Sequence, residues 1–280
     1  MTLEDLKRMQ DVQKEILFSI VDICEKYKIE YFLMYGTLLG AVRHGGTIPW
    51  DNDIDIAMTR ENYLKFYQIA SKMPEWLEKY DINIMGSGEL EYLSEMKIGR
   101  RGSKIYLPGT KKLKIMDQMA VDIFLLECVK DINPKLWHVI AKVCSILRIA
   151  KLNWDEKLLL MFCINKSSHH GKIFYKGGLC LMHVFRWVVG EKNIEKLIYK
   201  LIVDDSGKSN RVAINIEPGK WWKNELFSQM EEIPYEGRLL KVPKERHAIL
   251  KRIYGDYMSL PPERERFGKN FEQYVTEFNF

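Results

Sequence analysis

The sequence predicts an α+β fold: an N-terminal core of helices and strands, a helical middle region, and a C-terminal return. Three observations carry this expectation. Apolar residues recur every three or four positions through the first 27 residues. β-branched and aromatic runs, most of them separated by glycine or proline, fill the stretch from Ile29 to Glu127. From Pro134 to about Val203 the pattern changes to long helical stretches. The expected boundaries are 1–130 for the core, 131–210 for the helical region and 211–280 for the return.

Thr2 and Asp5 have the spacing of a capping box, and Leu6, Met9, Val12, Ile16, Ile20, Ile23 and Tyr27 follow as one helical face. "IEYFLMY" (29–35) reads as a strand ending at Gly36, and "TLLGAVR" as a short helix. "GGTIPW" is a turn, "DIDIAM" alternates as a strand does, and 60–73 reads as helix. Further strands are expected at 82–85, 92–98, 104–107 and 120–127. "IPYEGRLLKVP" (233–243) has the form of a hairpin, and 244–258 that of a helix closing on Gly255. There is no internal repeat.

Composition narrows the class. With 280 residues, 46% hydrophobic and 12% aromatic, the chain can fill a core of its own. The net charge of +5 favours anionic ligands without naming one. The five cysteines are odd in number and none stands in C-x-x-C spacing, which reads as reduced thiols in a cytosolic protein. The first residues carry acids and no apolar stretch of the secretory type. No uncharged apolar run approaches the roughly 20 residues that span a bilayer.

The stretch "YGTLLGAVRHGGTIPWDNDIDIAM" (35–58) holds the chemistry. In a strand, residues two apart share a face, so Asp53 and Asp55 project together while Ile54 and Ile56 enter a core. Two neighbouring carboxylates raise each other's pKa unless a cation neutralises them, and Mg²⁺ is commonly held by one or two carboxylates plus substrate phosphates. Gly36 and Thr37 follow a strand and open a helix, where a backbone can approach a phosphate closely. Asp122, set in the apolar run "MAVDIFLLE", needs a partner if buried: a lysine, or the other two aspartates. Asp51 is either a ligand or an outer-shell group.

These residues resemble the nucleotidyltransferase superfamily: Gly-Thr after a strand, acid-hydrophobic-acid-hydrophobic, then a distant third acid in a strand. "YGTLLGAVRHGG" followed by "IPWDNDIDI" is more specific and is similar to the LicD family, which includes phosphocholine transferases and fukutin-type ribitol-phosphate transferases. "VDIFLLE" and "IPYEGRLLKVPKE…ILKRIYGDYMSLPPE" extend the likeness. The resemblance implies a nucleotidyltransferase-like core with a mixed sheet flanked by helices, and a helical insertion. It implies a transferase moving a phospho-alcohol from a CDP-alcohol to a glycan hydroxyl, with Mg²⁺ or Mn²⁺ held by Asp53, Asp55 and Asp122. Asp122 would also serve as base, and Gly36 and Thr37 as phosphate loop. The sequence departs from the family at Asn52, where aspartate is frequent, and at Leu125, where proline is.

Around this centre, Arg43 either grips phosphate or pairs with Asp51, and His44 is either a substrate contact or a packing residue. Lys97, Arg100, Arg101 and Lys104 surround a glycine turn and form either a diphosphate clamp or a solvated hairpin. Trp50, Trp221, Trp222 and Tyr235 are either ring faces for a quaternary ammonium group or core and surface packing residues. Lys135, His138, Lys142, Ser145 and Arg148 make a narrow polar stripe on an otherwise apolar helix. Such a helix lies either on a core or in a membrane interface, where a lipid-linked glycan acceptor would be met. No Walker-type loop, G-x-G-x-x-G, zinc spacing, G-x-S-x-G or nucleic-acid module is present. The readings that compete with a LicD-type transferase are a true nucleotidyltransferase, a non-catalytic binding module and a membrane scaffold.

Overall fold

A computed structural model describes residues 3–85, 95–106, 118–151, 181–214, 221–266 and 277–279. The chain is α+β. Helix α1 (Leu3–Tyr27) leads to a short strand β1 (Phe32–Leu33), helix α2 (Tyr35–His44), strand β2 (Asp55–Thr59) and helix α3 (Arg60–Ala70). A helical turn α4 (Pro74–Leu77) precedes strands β3 (Tyr80–Met85), β4 (Glu95–Arg100), β5 (Lys104–Tyr106) and β6 (Ala120–Cys128). Helices α5 (Pro134–Lys151) and α6 (Glu191–Ile202) form the helical region, with a further helical stretch over 181–189. The return comprises β7 (Arg211–Ile214), β8 (Trp222–Lys223), β9 (Met230–Tyr235), β10 (Arg238–Pro243), α7 (Arg246–Tyr254), α8 (Glu263–Arg266) and β11 (Glu277–Asn279).

The main sheet is mixed, in the order β1-β2-β6-β4-β3. β2 and β6 are parallel and every other pairing in it is antiparallel. β7 joins β6 over Leu126–Cys128, beyond the stretch that β4 pairs, and carries β8. Alternate residues of the central strands, Ile56, Met58, Met96, Ile98, Val121, Ile123 and Leu125, are buried. They share one core with Ile16, Leu17, Ile20, Tyr63 and Phe66 from α1 and α3. The period of two along the strands meets the period of 3.6 along the helices, which leaves the intervening strand positions for polar groups.

The helical region has its own small core, in which Trp137, Cys144 and Leu147 of α5 meet Ile194, Ile198 and Ile202 of α6. The return packs back on the first half: β10 lies against β1, while α7 and β9 lie against α2. The 29–35 strand is shorter than its β-rich composition predicts. Tyr35 turns into the left-handed region (φ 48°) and starts α2 one residue before Gly36. β2 likewise starts at Asp55 rather than at Asp53. Cys24, Cys128 and Cys144 are free thiols. The capping residue Thr2, and the cysteines at 163 and 180, lie outside the described residues.

Candidate active site

The site is built where β2 begins. Met34 donates its N–H to the Asp55 carbonyl (3.1 Å), and Asp122 donates its own to the Ile54 carbonyl (2.9 Å). The Asp55 N–H is taken by the buried Thr37 hydroxyl (2.8 Å), so Thr37 fixes the start of the strand from the first turn of α2. Two amides of α1 hold the preceding loop. Gln10 donates to the carbonyls of Ile48 (3.1 Å) and Asp51 (2.7 Å), and the buried Gln13 to those of Asn52 (2.9 Å) and Ala120 (3.3 Å). Glu236, at the tip of the β9–β10 hairpin, accepts the Thr47 N–H (2.9 Å) and pairs with Lys14 (3.3 Å). The loop from Gly45 to Asn52 is thereby bonded on two sides.

Gly36 is required by a close approach. A Cβ there would stand 2.4 Å from Asp51 Oδ2, so the Asp51 carboxylate rests against the bare backbone of α2. Tyr35 meets Phe124 edge-on at 5.4 Å, which anchors its strained backbone.

Asp55 and Asp122 are register partners in the parallel pair, and Lys97 is the partner of Asp122 in the antiparallel one. The three side chains therefore form a row on the face opposite the isoleucines. Lys97 pairs with Asp122 at 3.3 Å and with Glu95 at 3.7 Å. Of the alternatives raised for Asp122, the lysine partner is present; Asp55 is its register neighbour, and Asp122 does not line the cleft that holds the other aspartates. Burial, followed by the charges of Asp53, Asp122 and Asp51, raises the pKa of Asp55 well above the carboxylate range. Burial, the charge of Asp53 and a carboxyl–carboxyl hydrogen bond to Asp53 push Asp51 up to about 8. Burial pushes Asp122 up to about 6, against the pull of Lys97.

A cleft of about 710 Å³ opens over the acids. Gly36, Arg43, Trp50, Asp51, Asp53 and Asp55 line one side. Tyr254, Asp256, Tyr257, Ser259, Leu260 and Pro261 of the return form the other. Arg43 does not pair with Asp51. Its guanidinium donates to the carbonyls of Tyr257 (2.8 Å) and Ser259 (3.4 Å), tying that wall to α2. His44 stands edge-on to Trp50 at 5.7 Å, outside the cleft lining, and burial beside Arg43 lowers its pKa. Trp50 carries the Arg266 guanidinium over its ring at 5.4 Å.

Other candidates lie elsewhere. Arg100 pairs with Glu15 (2.9 Å) and Arg101 with Asp81 (2.7 Å), so the basic turn is engaged away from the cleft. Trp221 and Trp222 pack under Arg211 and Arg252. Tyr235 is buried with its hydroxyl on Thr47 (2.9 Å). The ring faces of the cleft are Tyr35, Trp50, Tyr254 and Tyr257. The last two, with Asp256, were missed as site residues. "IYGDYMSLPPE" held them, but nothing in its local pattern ties that tail to Asp51 across two hundred residues. Among the described residues no group of three or more His, Cys, Asp or Glu side chains forms a ready-made metal cage. The oxygen donors Asp53 and Asp55, with Asp51 beside them and Asp122 opposite Asp55, have the chemistry a hard divalent cation takes when substrate phosphate completes its shell.

An α+β core with acids at the head of a strand and a third on its neighbour is of the nucleotidyltransferase type. Residues 28–94 match the family model described as LicD/FKTN/FKRP, nucleotidyltransferase domain. Over 93% of its length the chain is 30% identical to the lipopolysaccharide cholinephosphotransferase LicD of Haemophilus influenzae, of which it covers 94%. It is 44% identical to the ribitol 5-phosphate transferase FKRP of Homo sapiens over 49 residues, 18% of this chain and 10% of that one. An uncharacterized protein of Rickettsia typhi is 48% identical over 54 residues, 19% of this chain and 18% of that one. The chain belongs to the LicD family and is, in class, a LicD-type phosphotransferase.

Proposed function

We propose that the protein moves a phospho-alcohol, phosphocholine-like in kind, from a CDP-alcohol to a hydroxyl of a cell-surface glycan or its lipid-linked precursor. The observation that carries this reading is the cleft itself, in which Asp51, Asp53 and Asp55 face one space and Asp122 stands one strand behind Asp55. Four aromatic rings with Asp256 suit a cationic alcohol. The cholinephosphotransferase relative supports the same choice.

Asp53 and Asp55, with Asp122 as third ligand, would hold Mg²⁺ or Mn²⁺. When bound, the cation supplies charge neutralisation for the donor diphosphate. Arg43 and Lys97 add positive charge on either side of the acids, and Gly36 keeps the backbone low enough for the diphosphate to approach. Asp122 accepts the proton of the acceptor hydroxyl as that oxygen forms its bond to phosphorus. The phosphorus–oxygen bond to CMP breaks, and CMP leaves with the electron pair. Positioning and electrostatics supply most of such a barrier's lowering. The proposed organisation is a catalytic core over 1–130, a helical insertion over 131–210 and a return over 211–280. The proposed place of action is the cytoplasmic side of the membrane that carries the acceptor. Among the described residues no helix is long and apolar enough to cross a membrane.

The test is a screen of CDP-choline, CDP-ethanolamine, CDP-glycerol and CDP-ribitol with Mg²⁺ or Mn²⁺, read by thermal shift and by CMP release. A donor that raises the melting temperature and yields CMP is expected. A nucleotide left on the acceptor would identify a true nucleotidyltransferase instead. Neither metal uptake nor turnover with any donor would leave a binding module.

A further inference from the structure

The helical region presents apolar side chains to solvent on the outer side of its core. On α5, Leu136, Val139, Val143 and Ile146 are all exposed at spacings of three and four. Trp137, Cys144 and Leu147 of the same helix point inward. Successive residues are rotated by about 100°. The exposed stripe therefore lies between the buried face and the polar stripe of Lys135, His138, Lys142 and Ser145. The stretch over 181–189 repeats the theme: Leu181, Val184, Trp187 and Val188 are exposed, Trp187 to 84%. It joins α6 through Gly190, whose N–H bonds to the Arg186 carbonyl (2.8 Å). An isolated exposed leucine needs no explanation, but four aligned apolar positions along one helix do.

Charge decides the occupant. Residues 134–151 contain Lys135, Lys142, Arg148 and Lys151 and no acid, and 181–189 contain Arg186 and no acid. A second copy seated on this face would set positive against positive. An anionic lipid surface satisfies both parts: acyl chains take the stripe, headgroups take the lysines, and an exposed tryptophan settles at the boundary. We infer that the face formed by Leu136, Val139, Val143 and Ile146 of α5, with the exposed Trp187 and Val188 as a second apolar contact, docks the protein on an anionic membrane surface. The inference goes beyond the transferase reading and does not depend on it, since lipid binding is measured without donor or acceptor.

The experiment is co-flotation of the full-length protein with vesicles of phosphatidylcholine alone or of phosphatidylcholine with phosphatidylglycerol. Binding to the phosphatidylglycerol vesicles is expected, weakening as salt rises. Each basic residue near such a surface changes the partition coefficient about fivefold, so Lys135→Gln with Lys142→Gln lowers it about twenty-five-fold. Val139→Glu with Trp187→Glu abolishes flotation while circular dichroism and melting temperature stay unchanged, because those side chains are already in water. Equal flotation with both vesicle types, flotation that survives Val139→Glu with Trp187→Glu, or no flotation at all overturns the inference. So does a dimer in vesicle-free buffer that these glutamates dissociate, since the face would then belong to a second copy.

Discussion

Asp55 and Asp122 stand opposite one another across the parallel pair β2–β6, with Lys97 opposite Asp122 on the far side. Neighbouring strands are about 4.8 Å apart, so three ionisable groups are lined up within about 10 Å. The lysine offsets the Asp122 carboxylate and leaves Asp55 facing the cleft with no cation among the described residues to favour its ionised form.

Asp55→Asn, or Asp53→Asn, should therefore lower kcat by about a thousandfold, the scale of a lost electrostatic group. The metal-free melting temperature should hold or rise, because asparagine replaces a carboxyl group that burial and its acidic neighbours disfavour. Steady-state CMP release together with a thermal melt separates the two effects. Turnover within a few-fold of the unaltered protein would remove these residues from the chemistry.

Asp51, pushed up to about 8, and Asp122, pushed up to about 6, keep protons that the unfolded chain has already released. Between about pH 4 and pH 8 the folded state thus binds more protons, and stability falls as pH rises. The melting temperature of metal-free protein should drop across that window, and Asp51→Asn should flatten the slope. Added Mg²⁺ should raise the melting temperature more at the alkaline end than at the acid end. A slope that Asp51→Asn leaves unchanged would place the titration elsewhere.

Gly36→Ala sets two effects against each other. Alanine favours a helix over glycine by roughly 0.5–1 kcal/mol. The new Cβ would lie 2.4 Å from Asp51 Oδ2 and push that carboxylate away. Activity should fall at least tenfold with little change in melting temperature. Equal activity would show that the position of Asp51 is immaterial.

Arg43 is bonded to the Tyr257 and Ser259 carbonyls, so Arg43→Ala should loosen the cleft wall as well as remove a charge. KM for the donor should rise about tenfold or more, with a smaller loss in kcat. Arg43→Lys should recover little, because one ammonium does not reproduce the guanidinium fork. A variant with unchanged KM would mean that the wall holds itself.

Much of this was legible. The alternation in "DIDIAM" and "VDIFLLE" gave strands with aspartates on one face, and the 3.6 period gave α1. The beginning of β2 was read two residues early. Thr37 takes the Asp55 N–H from another element, a bond that local pattern does not encode. The sequence offers Arg43 two ionic partners, yet it binds carbonyls more than two hundred residues away. Trp221, Trp222 and Tyr235 look like cage residues by type, and only the return's path shows that they serve packing. Gln10 and Gln13 were passed over because polar positions on a helix usually face water, whereas here they brace the acidic loop.

The bond between Glu236 and Thr47 joins the turn of a hairpin to a loop made well before it. At about 5–20 residues per second, the ribosome delivers Glu236 many seconds after Asp55. A nascent chain halted before the return would carry the acidic residues without the far wall of their cleft. Competence is thus acquired only once the return has been made. Splicing the acidic segment alone into another scaffold would transplant the charges and leave the enzyme behind.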